Sequence, residues 1–291
     1  MSSDIMPMTE PRPRRQRSQD SGATDAALLF DEPGPRGRIL IAIGSVFAVI
    51  GIAALVGAVL YRLDLAGQLD YPEWRYFLGR SVVSQLLEAA GTTLTLGGVA
   101  AVLTFPLGIA LGWLRLLDNR PIKWLVGLWI DAMRAVPMLL LVYFFLLVVP
   151  RFATVSDFWK LALPIVMCTS ATTAEVFRSG VRALDRGQTE AAWALGMSPS
   201  LTMRLILAPQ ALRLMLPTLI TQMVTIIKGT TLAYVLAYPE LMYRGSTMIG
   251  QAKIDAHLSV FFQTYVIIAV LYIIVNWSLG ALARYIESRT R

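Results

Sequence analysis

The chain contains apolar stretches long enough for a bilayer to dictate their structure. They run over about Ile39–Tyr61, Leu86–Leu116, Trp124–Val149, Phe158–Val181, Leu214–Ala237 and Ser259–Ile286. A helix needs roughly 20 apolar residues to cross a membrane. Backbone groups in lipid must be satisfied within the chain, which leaves helices or a closed barrel. The runs are continuous rather than alternating, so the expectation is an all-α polytopic membrane protein with six transmembrane helices. Across the 291 residues, 56% are hydrophobic and only 15% are charged.

The formal net charge of +7 would suggest nucleic acid as a partner of a soluble protein. Here the basic residues sit in loops and sort by side, so no nucleic-acid partner is expected. With the N-terminal tail inside, cytoplasmic segments hold roughly 17 Lys/Arg and outer segments roughly 7, with Arg134 and Lys228 in the membrane. The inner set includes Arg115, Arg120, Lys123, Arg182, Arg186, Arg204, Arg213 and Arg284. Both termini are therefore expected in the cytoplasm. The one Cys, Cys168, has no partner for a disulfide within the chain, and the one His is His257. No metal site, histidine triad or enzyme chemistry is expected from that inventory. Residues 1–38 are polar, rich in Pro, Ser and charge, and read as a disordered basic tail rather than a signal peptide.

The second run carries Gly97, Gly98, Ala100, Ala101, Gly108 and Gly112, which permit close helix approach, and Pro106, expected to kink it. After the fourth run comes the longest polar, Arg-bearing interruption beyond the tail, "GQTEAAWALGMSPSLTMRLILAPQALR". Its first half, Glu190–Leu195, is a strong helix former that Gly196 ends or bends. Ser198 is a suitable N-cap and Pro199 a suitable first residue for a second helix. That helix is expected to end near Leu207, where Ala208-Pro209 interrupts it. The pair is apolar on one side, through Ala191, Trp193, Leu195, Leu201, Met203 and Leu205. Two readings follow: a helix that buries this side against a partner, or one that lies on the lipid headgroups.

The residues "EAAWALGMSPSLTMRLILAPQ" resemble the EAA loop of bacterial ABC-importer permeases. Glu190, Ala191, Ala192, Gly196, Ile206 and Pro209 stand at the loop's spacing, and Ala208 stands where Leu is usual. "TTAEVFRSGVRALDRGQTEAA", "RAVP" and "LLEAAGTTLTLGG" are similar to the polar amino-acid subgroup of that family. "IIKGTTLAYVLAYPEL" is also similar, except that Lys228-Gly229 replaces a Lys or Gln followed by an acidic residue. The match covers about 86–291. "AVPMLLLVYFFLLVVPRF" and the segment from Leu28 to Trp74 look most like permeases for glutamate and aspartate.

The resemblance implies the type I importer permease fold. Its domain plan is the tail at 1–38, a first span and extracytoplasmic segment at 39–85, and a five-helix core at 86–291 with a coupling loop at about 182–213. It implies a coupling helix docked on an ATP-hydrolysing subunit, carried here by Glu190, Ala191, Ala192, Trp193, Gly196, Met197, Ser198 and Arg204. It implies a bacterial cell-membrane location. The implied partners are a second permease (a heterodimer), two ATP-binding subunits, an extracytoplasmic binding protein and membrane lipid. The chain has no G-x-x-x-x-G-K-[ST] loop, so ATP and Mg are expected on the partner ATPase, with no cofactor in this chain. The implied cargo is a polar amino acid, glutamate first. Glutamine or a basic amino acid is the alternative within the same importer type. A secondary transporter is the rival class, which commonly shows inverted repeats; no repeat is visible here.

Ionisable groups within spans default to function. Thr172, Glu175 and Ser179 fall on one helical face, with Arg178 three residues beyond Glu175. They line a substrate path, or Glu175 and Arg178 pair within the bundle. Arg134 meets a substrate carboxylate, pairs with Asp131, or snorkels. Lys228, flanked by Thr230 and Thr231, is a counter-charge for an acidic substrate or pairs with a carboxylate of a partner permease.

Overall fold

A computed structural model describes residues 34–290; the expected tail lies outside them apart from its last few residues. All regular structure among the described residues is helical. The chain divides into two compact units that meet between Leu65 and Ala66. The first contributes helix α1, Pro35–Leu65, which is longer than the apolar run Ile39–Tyr61 and carries Arg36, Arg38, Arg62 and Asp64 at its ends.

In the second unit, the short helix α2, Tyr71–Tyr76, precedes α3, Arg80–Leu116. Helix α3 continues through Pro106 without a break in its assignment. Its small residues allow the backbone of α6, Asp157–Arg182, to approach closely. A methyl placed on Gly108 would lie 2.5 Å from Thr173 Cβ and 2.9 Å from the Ser170 carbonyl oxygen. One placed on Gly112 would lie 2.6 Å from the Ala174 carbonyl oxygen. In lipid, where apolar burial gives helices little reason to associate, such packing is what holds them. The buried hydroxyls of Thr104 and Thr169 add a 2.8 Å hydrogen bond across the same seam.

Two expectations need correction. The run Trp124–Val149 is not one straight helix. It forms α4, Arg120–Ala135, and α5, Met138–Leu147. The axis turns by 96° between them. Val136 is extended (φ −76°, ψ 128°), as a residue before proline prefers to be, and Pro137 has no N–H to continue the ladder. Second, Ala208-Pro209 does not interrupt the chain. Helix α8, Pro199–Thr202, passes through a π turn, Met203–Leu207, directly into α9, Ala208–Gly229, and then a 3₁₀ stretch, Thr230–Leu236. The wider turn accommodates the missing N–H of Pro209 by changing the hydrogen-bond register. The polar stretch before the last run, which carried no expectation, folds as α10, Leu241–Asp255, before α11, Phe261–Thr290.

Among the described residues, four continuous helices are long and apolar enough to cross a membrane, and the bent α4–α5 pair is a fifth candidate. Helix α6, at 26 residues, has the length, but its Thr, Ser, Glu and Arg series makes it too polar to qualify on composition. The sixth expected span is therefore not established by apolarity.

Candidate functional site

The polar segment between α6 and α9 contains the Gly196 stop and the Ser198 cap that the sequence suggests, but its first helix starts at Arg186 rather than Glu190. Asp185 caps α7, Arg186–Ala194, by accepting from the Gly187 N–H at 2.7 Å. Gly196 ends that helix in the left-handed region at φ +75°. Its N–H donates to the Trp193 carbonyl at 2.9 Å, and that of Met197 to the Ala192 carbonyl at 3.1 Å. These paired bonds form a Schellman cap, in which glycine carries no Cβ penalty. Ser198 then caps α8, accepting from the Leu201 N–H at 3.4 Å.

The cap aims α7 and α8 so that Ala192 and Thr202 are buried while Glu190, Ala191, Gly196, Ser198 and Arg204 stay exposed; Met197 is half-buried. Trp193, Leu195, Leu201 and Leu205 also face outward, with Leu195 82% exposed. An exposed apolar surface of this kind on a polar, helix-capped segment suits contact with a protein partner or with lipid headgroups. Trp193 additionally lines a crevice of about 170 Å³ with Trp113, Asp118, Met203 and Leu207. The Gln210 amide donates to the Gln188 side chain at 3.1 Å and ties α7 to the start of α9.

Next to this segment lies a cavity of about 510 Å³, lined by Arg134, Thr172, Glu175, Ser179, Met215 and Thr218 among others. Thus Thr172, Glu175 and Ser179, placed on one helical face in the sequence, share a wall with Arg134, which was singled out separately. Glu175 is the hub of a charge network. Arg115 from the last turn of α3 donates to its Oε1, and Arg178 donates to both oxygens, the shorter contact being 2.6 Å. Arg134 approaches its Oε2 at 4.0 Å. Arg115 also holds Asp131 of α4 by two bonds of 3.2 and 3.1 Å.

The expected Glu175–Arg178 pair is present, but the expected Asp131–Arg134 pair is not. Arg115 takes Asp131 instead, and the Arg134 side chain is left 46% exposed toward the cavity. Sequence reading placed Arg115 with the loops and so missed it. The signal was present as an Arg in phase with the buried Gly108 and Gly112 face of α3.

Lys228 does not join this cavity. It is exposed and has no ion-pair partner among the described residues. It continues a face of α9 bearing Thr218, Thr221 and Thr225. The Thr231 hydroxyl donates to the Lys228 carbonyl at 2.7 Å rather than outward.

A second polar knot also went unnoticed in the sequence. Glu240 is fully buried, caps α10 by accepting from Tyr243 N–H at 2.8 Å, and accepts from the Tyr272 hydroxyl at 2.7 Å. The next N–H, of Leu241, donates to Thr93 of α3 at 3.2 Å. Together these bonds tie α3, α10 and α11 at one point.

Comparison with known proteins places this architecture. Residues 104–291 match the family described as "Binding-protein-dependent transport system inner membrane component". The chain is 33% identical over 198 residues to a "Probable glutamine ABC transporter permease protein" of Bacillus subtilis, covering 68% of this chain and 89% of the relative. It is also 33% identical over 230 residues to a "Glutamate transport system permease protein" of Corynebacterium glutamicum, covering 77% and 82%. Among solved structures, "Crystal structure of an amino acid ABC transporter with histidines" superposes with a TM-score of 0.64 at 24% identity, over 72% of this chain and 95% of that one.

Proposed function

The chain belongs to the family of inner-membrane components of binding-protein-dependent transport systems, and from that premise we propose that it is a permease subunit of an ATP-driven importer for a polar amino acid, with glutamate as the leading cargo. The observation that carries the reading is the pairing of two surfaces. One is the apolar face on α7 and α8, set by the Gly196 cap. The other is the cavity between α6 and α9, the two helices that flank this segment, whose wall combines Arg134 with the hydroxyls of Thr172, Ser179 and Thr218. A guanidinium whose one ion-pair contact among the described residues is the long 4.0 Å approach to Glu175 suits a substrate carboxylate. Neighbouring hydroxyls suit the rest of a polar amino acid.

In this mechanism the chain contributes a path and a lever, while ATP and Mg are bound and used on partner subunits. Nucleotide-driven closure of two ATPases draws the coupling segments of two permeases together. The lever is stiff, because Asp185, Gly196 and Ser198 fix both helix ends and the Gln188–Gln210 bond joins the lever to α9. A stiff element transmits displacement where a soft one would absorb it. Helix α9 moves with the lever, and its Thr218 lines the cavity. The assembly comprises a second permease, two ATP-binding subunits and an extracytoplasmic binding protein. The coupling segment and both termini face the cytoplasm, as the distribution of Lys and Arg favours.

The resemblance of the 28–74 segment and of the α5 helix to glutamate and aspartate permeases favours the acidic cargo. A relative named for glutamine matches at the same 33% identity, which favours a second reading with that neutral cargo. ATP-dependent uptake of labelled glutamate into proteoliposomes, competed separately by unlabelled aspartate, glutamine and arginine, decides between them. Competition by aspartate alone supports the acidic reading. Competition by glutamine at equal concentration replaces it with the neutral one.

A further inference from the structure

A second polar groove, of about 370 Å³, opens at the same end of the bundle and shares no lining residue with the Arg134 cavity. Its polar walls are Arg115, Lys123, Asp131, Arg178 and Arg182, and its rim carries Trp124. The groove lies where three helix ends converge: the last turn of α3, the first turns of α4 and the last turns of α6. These are the positions at which spans meet the membrane–water boundary.

Charge accounting shows what the groove still has to offer. The carboxylates of Asp131 and Glu175 are held by Arg115 and Arg178. Lys123 and Arg182 are exposed and have no ion-pair partner among the described residues. The groove therefore keeps two cations in excess, facing an anion-sized space. Beside it, Trp124 is 66% exposed and Leu128, one turn on, is 54% exposed. Leu125 is 60% exposed on the same helix. An aromatic at headgroup depth and leucines below it form a surface for acyl chains. A free small anion would need the cations but not this apolar border.

We propose that this groove is a binding site for the phosphate headgroup of an anionic phospholipid, in the leaflet next to the coupling segment, with Lys123 and Arg182 contacting the phosphate and Trp124 packing on the glycerol and upper acyl chain. Basic pockets between helix ends are suited to such headgroups. The lipid bound there touches Arg115 and Arg178, the two residues that position Glu175 in the wall of the other cavity.

The test is native mass spectrometry of the full chain, purified with its partner subunits, after equilibration with phosphatidylglycerol, phosphatidylcholine or inorganic phosphate. Phosphatidylglycerol is retained in preference to phosphatidylcholine. The double variant Lys123→Gln with Arg182→Gln loses that retention by about fivefold for each cation removed. Its retention of phosphatidylcholine does not change. The charge-keeping pair Lys123→Arg with Arg182→Lys retains phosphatidylglycerol as the wild type does. Equal retention of both lipids, an undiminished double variant or failure of the charge-keeping pair overturns the proposal. Displacement of the lipid by equimolar inorganic phosphate also overturns it, making the groove a small-anion site.

Discussion

Arg115 Nη1 and Nη2 hold the two oxygens of Asp131 in parallel at 3.2 and 3.1 Å, and the same Nη1 also donates to Glu175. One guanidinium thus joins α3, α4 and α6 beside the proposed substrate cavity. The two contacts differ in weight. Asp131 is 58% exposed, whereas the Glu175 side chain is 15% exposed. Solvent screens the first pair far more than the second.

The difference is measurable. Asp131→Asn is expected to cost under about 1 kcal/mol. Arg115→Met is expected to cost about 2 kcal/mol, because it leaves the Glu175 carboxylate short of a buried partner. In thermal unfolding of the detergent-solubilised assembly, that corresponds to a loss of about 5 °C. A double-mutant cycle with Glu175→Gln should show coupling to Arg115. Additive effects would mean that the bridge contributes nothing.

The α3–α6 seam gives a position-specific prediction. Gly108→Ala forces a methyl onto Thr173 and the Ser170 carbonyl, and should destabilise by roughly 1–3 kcal/mol, the usual range for overpacking. Gly98→Ala meets nothing within 4 Å on the same helix and should be neutral or slightly stabilising. Thermal unfolding of the two variants side by side checks the contrast.

Gly196 should discriminate among side chains by backbone conformation alone, since its surroundings are open. Gly196→Asn should keep most uptake, because Asn visits the left-handed region readily. Gly196→Val should lose nearly all of it, because a branched residue at φ +75° costs on the order of 1–2 kcal/mol or more. The membrane level of the chain, read by immunoblot, should not change in either. Equal uptake by both variants would show that the cap geometry does not matter.

Arg134→Gln should raise the KM for uptake by about tenfold or more, as expected for losing one charge-assisted contact. Chain level and assembly with the ATPase should stay normal. Lys228→Gln should leave KM unchanged, since Lys228 does not line the Arg134 cavity. Initial-rate uptake against substrate concentration separates the two.

Much of this was legible in the sequence, and the reason is local chemistry. Gly196, Ser198 and Pro199 are cap residues whose effect acts within a few positions, so the end of α7 and the start of α8 followed directly, whereas the Asp185 cap, which starts α7 at Arg186, four residues before Glu190, did not. Thr172, Glu175 and Ser179 share a face because a helix has a fixed period. The partners of Arg134 and Asp131 were not legible. Spacing of three residues suggested that they pair, yet both turned to groups on other helices. The choice is set by how α3 packs on α4 and α6, which periodicity does not report. Helix α10 was missed because its sequence, "LMYRGSTMIGQAKID", is too mixed for a membrane-span pattern. The bend at Pro137 was hidden because apolar residues continue past it on both sides despite Asp131 and Arg134. Lys228 was the opposite case: its depth in an apolar run suggested a role in the path, but it is exposed and is not among the residues lining the cavity that Arg134, Thr172 and Glu175 share.

The most direct test of the account is uptake of labelled glutamate by proteoliposomes containing the chain, its companion permease, the ATPase and the binding protein, with wild type and Glu190→Lys measured in parallel. The account predicts uptake that requires ATP in the wild type. It predicts loss of that uptake in Glu190→Lys with the chain still present in the membrane. ATP-independent uptake by the wild type, or full uptake by Glu190→Lys, would contradict coupling through this segment.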